Sequence, residues 1–188
     1  MQPAYAEGLC PRMVYWISAS GTILRAESEN ADLVRKEDGI FLQPFTTDHI
    51  IGRNLFEFIE GIEIHHLYQA LMNKVLRTGV SITFPYRCDG PHVRREMIMS
   101  LSFENEMVRY ESTLLREIPR ERRIPAETNS ATTLVAICSF CQRYRFPLTS
   151  TIWKDLDYLL LEADLPDKFD FSHGLCRACY QRFADDLK

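Results

Sequence analysis

The stretch Phe171–Tyr180, FSHGLCRACY, carries Cys176 and Cys179 in a Cys-x-x-Cys pair, with His173 just ahead of them. Upstream, Ile137–Cys141 reads ICSFC and holds a second pair of the same spacing, Cys138 and Cys141. Such a pair on a tight turn brings its sulfurs within about 4 Å of each other, half of a tetrahedral site. Two pairs from distant segments close a tetrathiolate zinc site, with Zn–S distances of about 2.3 Å. The 34 residues between Cys141 and Cys176 exceed the roughly 15–20 of a compact zinc ribbon. A folded element between the two knuckles accounts for the excess. The longer loop adds only about 0.6 kcal/mol of closure entropy per doubling. A metal also suits a segment whose own core is too small to hold it together.

Other readings compete. A thioredoxin-type redox pair needs only one Cys-x-x-Cys, in a βαβ setting that this region lacks. Structural disulfides and unrelated buried thiols are further readings, and iron is an alternative ion. The reading taken is zinc held by Cys138, Cys141, Cys176 and Cys179. Four thiolates leave no open coordination position for water, which favours a structural role over a catalytic one. His173 reads as a donor behind the site or a turn residue beside Gly174. Cys10 and Cys88 lack a partner at metal spacing and read as half-buried thiols.

Composition fixes the setting. The chain has 188 residues, 46% of them hydrophobic, which fits one ordinary domain or one domain plus a small appendage. Lys and Arg total 22 against 26 Asp and Glu, a net charge of −4, which argues against a nucleic-acid partner. From Cys138 onward the count is seven basic against eight acidic residues, no funnel toward phosphates of a nucleic acid. No apolar run approaches the roughly 20 residues that cross a bilayer, so no membrane contact is expected. The N-terminus has no basic-then-apolar signal pattern. A reducing cytoplasm is the expected compartment, where cysteines are thiols or metal ligands.

Three zones follow one another. In the first, MVYWIS and GTILRAES read as a β-hairpin turning at SASG. Leu67, Leu71, Val75 and Leu76 recur at helical spacing, and Gly79 is a natural stop. VSITFPYRCD, VRREMIMSLSF and MVRYESTLLRE read as three strands joined by DGPH and ENE, an antiparallel meander. The second zone, IPRERRIPAETNSATT, has the composition of a linker, and its Arg120, Arg122 and Arg123 read as a solvated boundary. In the third zone, Ile152, Trp153, Leu156, Leu159, Leu160 and Ala163 predict one face of a helix. Ser150 or Thr151 would cap its start and Pro166 would end it. Arg94 and Arg95 are expected to begin a strand with one side chain in solvent.

The first zone resembles a PAS domain on YWISASGTILRAESEN, IGRNLFEFI and LYQALMNKVLRTG. YRCDGPHVRREMIM followed by LLREIPR is similar to small stand-alone bacterial PAS-like proteins. The third zone is similar to the cysteine-rich tail found after PAS domains in bacterial sensors. CSFC, IWKDLDYLL and SHGLCRAC stand in the order of that tail's elements. The chain departs from the pattern at QRYR, where a Lys-rich step is commoner, and at Arg177, where proline is usual. RKEDGIFLQPFTTDHI looks like an insertion.

The resemblance implies an α+β fold: a five-stranded antiparallel sheet with helices on one face, plus a small C-terminal zinc-binding helical unit. The units drawn are 13–117, a PAS-like sensory domain; 118–134, a linker; and 135–188, the cysteine-rich tail. It also implies a non-enzymatic sensory or interaction module in bacterial signal transduction. With no kinase, cyclase or receiver segment in these residues, its output would pass through a protein partner, and a homodimer is possible. A small ligand would sit between sheet and helix against Trp16, Phe56, Phe58 and Tyr68, although a filled core is the stronger expectation. The alternatives are a thiol redox sensor that releases zinc on oxidation, a zinc enzyme, or a haem sensor using His65 or His66.

Overall fold

The β-branched and aromatic run RMVYWI forms β1 (Arg12–Ile17) and pairs antiparallel with the more polar ILRAESE, β2 (Ile23–Glu29). This is seen in a computed structural model, which describes residues 10–29, 49–124 and 133–187. Most of the expected insertion, 35–48, and part of the linker, 125–132, lie outside the described residues. The meander follows as β3 (Ile82–Arg87), β4 (Val93–Glu104) and β5 (Met107–Pro119). Because β1 pairs with β5, the sheet order is β2-β1-β5-β4-β3. The fold is therefore α+β and PAS-like, with five antiparallel strands.

Helix α1 (Ile62–Thr78) crosses one face of this sheet. Ile64, Leu67, Leu71, Met72 and Val75 share its buried stripe, and meet Met99, Leu101, Val108 and Tyr110. Gly79 ends the helix with φ 69°, and its N–H donates to the Val75 carbonyl. A side chain there must adopt the left-handed region, which costs about 1–2 kcal/mol. Gly79→Ala is accordingly expected to lower stability by about 1 kcal/mol in urea unfolding without shifting the slope.

The tail adds β6 (Leu134–Cys138), β7 (Arg143–Arg145), β8 (Lys154–Asp155) and β9 (Asp170–Gly174) in the order β8-β7-β6-β9, then helix α2 (Arg177–Asp186). The amphipathic helix predicted from Ile152 to Ala163 does not form. Lys154 and Asp155 pair with β7 instead, and Asp155 accepts from the Asp157 N–H to start a 3₁₀ segment, Leu156–Leu161. In that tighter winding, residues three apart eclipse. Leu156 and Leu159 are buried, whereas Ile152 and Leu161 are exposed. Sheet pairing and a local cap thus override a 3.6-residue pattern.

The linker also differs from expectation at Arg120. Its N–H donates to the His92 carbonyl, and its side chain is buried between Asp89 and Asp157. Arg122 and Arg123 are exposed as expected. On β4, Arg95 is buried against Glu117 at 2.9 Å, while Arg94 is half-buried beside Glu96 at 3.0 Å. Among the described residues, no helix is long and apolar enough to cross a membrane.

Candidate metal centre

Two chain reversals deliver the four cysteines. Cys138 ends β6, and the turn after it returns to β7, with the Gln142 N–H donating to the Cys138 carbonyl. Gln142 takes a φ of 55° to close that turn. Cys176 caps α2, where its sulfur accepts from the Cys179 N–H at 3.5 Å. β6 and β9 run parallel, pairing Cys138 with Gly174 and so laying one knuckle beside the other.

The sulfurs of Cys138, Cys141, Cys176 and Cys179 all lie within 4.8 Å of one another. Cys141 and Cys176 are 3.7 Å apart at sulfur, far beyond the roughly 2.05 Å of a disulfide, and all four are free thiols. Cys138, Cys176 and Cys179 are buried and Cys141 is half-buried. Hydrogen bonds from the Cys141 and Cys179 thiols and from backbone N–H groups hold the Cys138 thiol far below its ordinary range. Its hydrogen bond in turn pushes Cys141 up to about 12, and Cys179 is raised by the same neighbours. Sulfurs this close share their protons; a cation that replaces those protons relieves the crowding. The Cys141 and Arg143 backbone groups act on Cys138 and Cys141 respectively, as donors that favour thiolate. Buried, soft, donor-supported sulfurs fit a thiophilic ion such as zinc.

His173 stands outside this cluster. It lies on β9 with Nε2 3.9 Å from Glu60. Cys88 is half-buried, and burial raises its thiol to about 12. His65 packs on Phe56 at 4.6 Å and His66 is exposed on α1.

What the sequence did not signal is the seam joining the cluster to the PAS-like sheet. Phe140, inside the CSFC knuckle, packs on Phe183 at 4.5 Å, Phe84 at 5.7 Å and Tyr68 at 5.9 Å. Its carbonyl accepts from the Arg87 N–H at 2.7 Å. The Arg87 guanidinium donates to the Cys141 carbonyl at 3.3 Å and pairs with Asp89 and Asp155. One apolar core therefore contains Leu71 and Phe84 together with Cys138, Cys176, Cys179 and Phe183. An aromatic residue within a metal knuckle was the available hint.

A crevice of about 600 Å³ lies between sheet and tail, lined by Tyr68, Tyr86, Cys88, Gln142, Phe171 and His173 among others. Of the four residues expected to line a ligand pocket, Tyr68 lines this crevice, and Phe56 lines a separate cavity of about 530 Å³ beside α1 with His65 and Gln69. Trp16 points to the opposite sheet face, beneath the Arg25 guanidinium at 4.4 Å. Phe58 is 44% exposed under Arg53, and Phe56 faces His65. Strand alternation explains the first case, since Tyr15 and Ile17 already face α1.

Fold and site together define a PAS-like α+β protein with a four-cysteine cluster able to hold a metal ion. Among solved structures, the chain is similar to the PAS domain of the Cronobacter turicensis RpfR quorum-sensing receptor in complex with BDSF. That match has 13% identity and a TM-score of 0.38, covering 59% of this chain and 98% of that one. The same domain in complex with C12:0 matches at 14% identity and TM-score 0.38, over 59% and 98%. A domain of an HTR-like protein from Haloarcula marismortui matches at 15% identity and TM-score 0.32, over 57% and 97%. No family model and no curated protein matches the chain.

Proposed function

We propose that this protein is a non-enzymatic sensory or interaction module of bacterial signal transduction. In this reading a PAS-like unit (13–117) is joined through 118–134 to a tail (135–188) that holds a structural zinc ion. Cys138, Cys141, Cys176 and Cys179 are the ligands. The observation that carries it is the meeting of four sulfurs within 4.8 Å, from two knuckles seated in the core of the PAS-like sheet. Bound there, zinc supplies a structural cross-link. The four thiolates occupy its tetrahedral positions and leave none for an activated water. The signal then passes through contacts with a cytoplasmic protein partner, or with a second copy of the chain.

The crevice supports a second reading, in which the same module takes a small ligand between sheet and tail. Its volume of about 600 Å³ lies within the roughly 300–1,000 Å³ usual for ligand sites. Burial keeps the Cys88 thiol protonated, so it lines the crevice as a neutral group, while the Tyr86 hydroxyl is shared with Ser112. Elemental analysis of the purified protein tests the leading reading, with about one zinc per chain expected; a metal-free, folded protein would overturn it. Zinc release by peroxide, coupled to a change in oligomeric state, would move the assignment to a thiol redox sensor.

A further inference from the structure

The crevice of about 600 Å³ separates two apolar cores, one packed by Tyr68, Tyr86 and Phe140, the other built on Ile124, Ile137 and Leu156. Tail residues such as Ser139, Gln142 and Phe171 form one wall, so α1 and the five-stranded sheet do not enclose it by themselves. None of the four clustered cysteines lines it. Its charged side chains are already matched. Arg87 pairs with Asp89 and Asp155, and Asp89 also receives Arg120. Glu60 and His173 stand 3.9 Å apart, with Glu60 largely in solvent. Four neutral groups on the walls are, by contrast, unengaged. Among the described residues, no hydrogen bond is made by the Tyr68 hydroxyl, the Cys88 thiol, the Ser139 hydroxyl or the Gln142 side-chain amide. All four residues are half-buried and line the crevice, which leaves them within reach of an occupant. Burial pushes the Cys88 thiol up to about 12 and raises the Tyr68 phenol, so both keep their protons at neutral pH.

We propose that the crevice binds an uncharged aromatic small molecule bearing a hydroxyl or carbonyl group, an inference that rests on the crevice being a ligand site. A charged ligand would give up its hydration and meet no free counter-charge, because Arg87 and Asp89 already hold each other. Three rings, Tyr68 from α1, Tyr86 from β3 and Phe171 from β9, supply the walls against which a planar body packs. A saturated chain would bury apolar surface there but gain none of that ring-to-ring contact. The polar substituent engages the hydroxyl, thiol and amide groups that the protein leaves unpaired. A site built this way discriminates against an analogue that lacks the group, since its own polar atoms would then be desolvated without a partner. Ser139 lies between Cys138 and Cys141 and Gln142 follows them, so the ligand touches the segment that carries one metal knuckle without touching its sulfurs.

The probes are 2-naphthol, naphthalene and 2-naphthoate, titrated into the full chain by fluorescence, with decan-1-ol as a competitor. Saturable binding of 2-naphthol is expected, at least tenfold tighter than that of naphthalene or of 2-naphthoate, with decan-1-ol a poor competitor. Tyr68→Phe combined with Ser139→Ala removes two hydroxyls and almost no volume. It should erase the preference for 2-naphthol over naphthalene while naphthalene binding itself stays as in the wild type, a pattern that a folding defect does not mimic. Ser139→Ala alone leaves the packing of Tyr68 on Phe140 untouched and should lose part of the preference. Tyr158→Phe, on an exposed residue outside the crevice, should change nothing. Tighter binding of 2-naphthoate, or efficient displacement by decan-1-ol, overturns the ligand class and leaves the crevice standing as a site. A preference for 2-naphthol that survives the double substitution overturns the assignment to these walls. Failure of every probe to bind overturns the reading of the crevice as a ligand site, and the inference with it.

Discussion

Cys176→Ser is expected to abolish stoichiometric zinc binding and to unfold the tail, lowering the melting midpoint of the whole chain by about 10 °C or more. Three ligands retain some affinity, but Ser offers a hard oxygen where a soft sulfur is needed. Apparent binding free energies for structural zinc reach about 10–16 kcal/mol, comparable to or larger than the total stability of most domains. The effect does not stay local, because Cys138, Cys176 and Cys179 belong to the same core as Leu71, Phe84 and Leu101. Removing the ion leaves buried thiols crowded within 4.8 Å, and their shared protons set up the opposed ionisation of Cys138 and Cys179. A chelator should reproduce the substitution, and binding should weaken toward acid pH, as protons compete for the sulfurs. Circular dichroism melts with and without chelator, read beside metal content, decide the matter. An unchanged melt after complete removal of zinc would show that the tail holds itself together.

The residues that were easiest to read in sequence are those whose neighbours lie nearby in the chain. The period of Leu67, Leu71 and Val75 sets α1, and Gly79 stops it where a left-handed residue is required. Met97 and Met99 on β4, like Val108 and Tyr110 on β5, alternate with exposed or half-exposed residues and face inward. The cysteine spacing named the four residues that come together, because each knuckle is a local turn. Where the outcome depends on distant partners, the pattern misleads. Leu156 and Leu159 fit either a helix or a 3₁₀ turn, and only the pairing of Lys154–Asp155 with β7 selects the latter. Arg120 belongs to a charge-rich, proline-flanked run, yet Asp89 from the β3–β4 loop and Asp157 from the tail enclose it. Burial lowers its pKa relative to ordinary arginine, though not enough to discharge it. Trp16 has the composition of a pocket wall, but one residue of register places it on the outer face under Arg25 and Arg109.

Phe140→Ala should be the most damaging substitution that leaves every cysteine in place. Phe140 is 2% exposed and touches the aromatic rings of Tyr68, Phe84 and Phe183, which come from α1, β3 and α2. Truncating a buried phenylalanine costs about 3–5 kcal/mol through lost burial and the cavity left behind. Here the cavity opens between the two parts of the molecule, so the loss should separate them before it unfolds either. Zinc is expected to stay bound, because the Phe140 side chain holds no metal ligand and the Arg87 N–H still reaches its backbone carbonyl. Amide exchange should then accelerate in β3 and along α2 while the strands β1 and β5 remain protected. Phe183→Ala should produce a similar pattern, and the double substitution should cost less than the sum, since both rings fill one space at 4.5 Å. Strict additivity would mean that the two rings act independently and that the metal alone carries the junction. A coupling of about 0.5–1.5 kcal/mol would place part of the attachment in the aromatic seam, where a change in one unit can reach the other without disturbing the sulfurs.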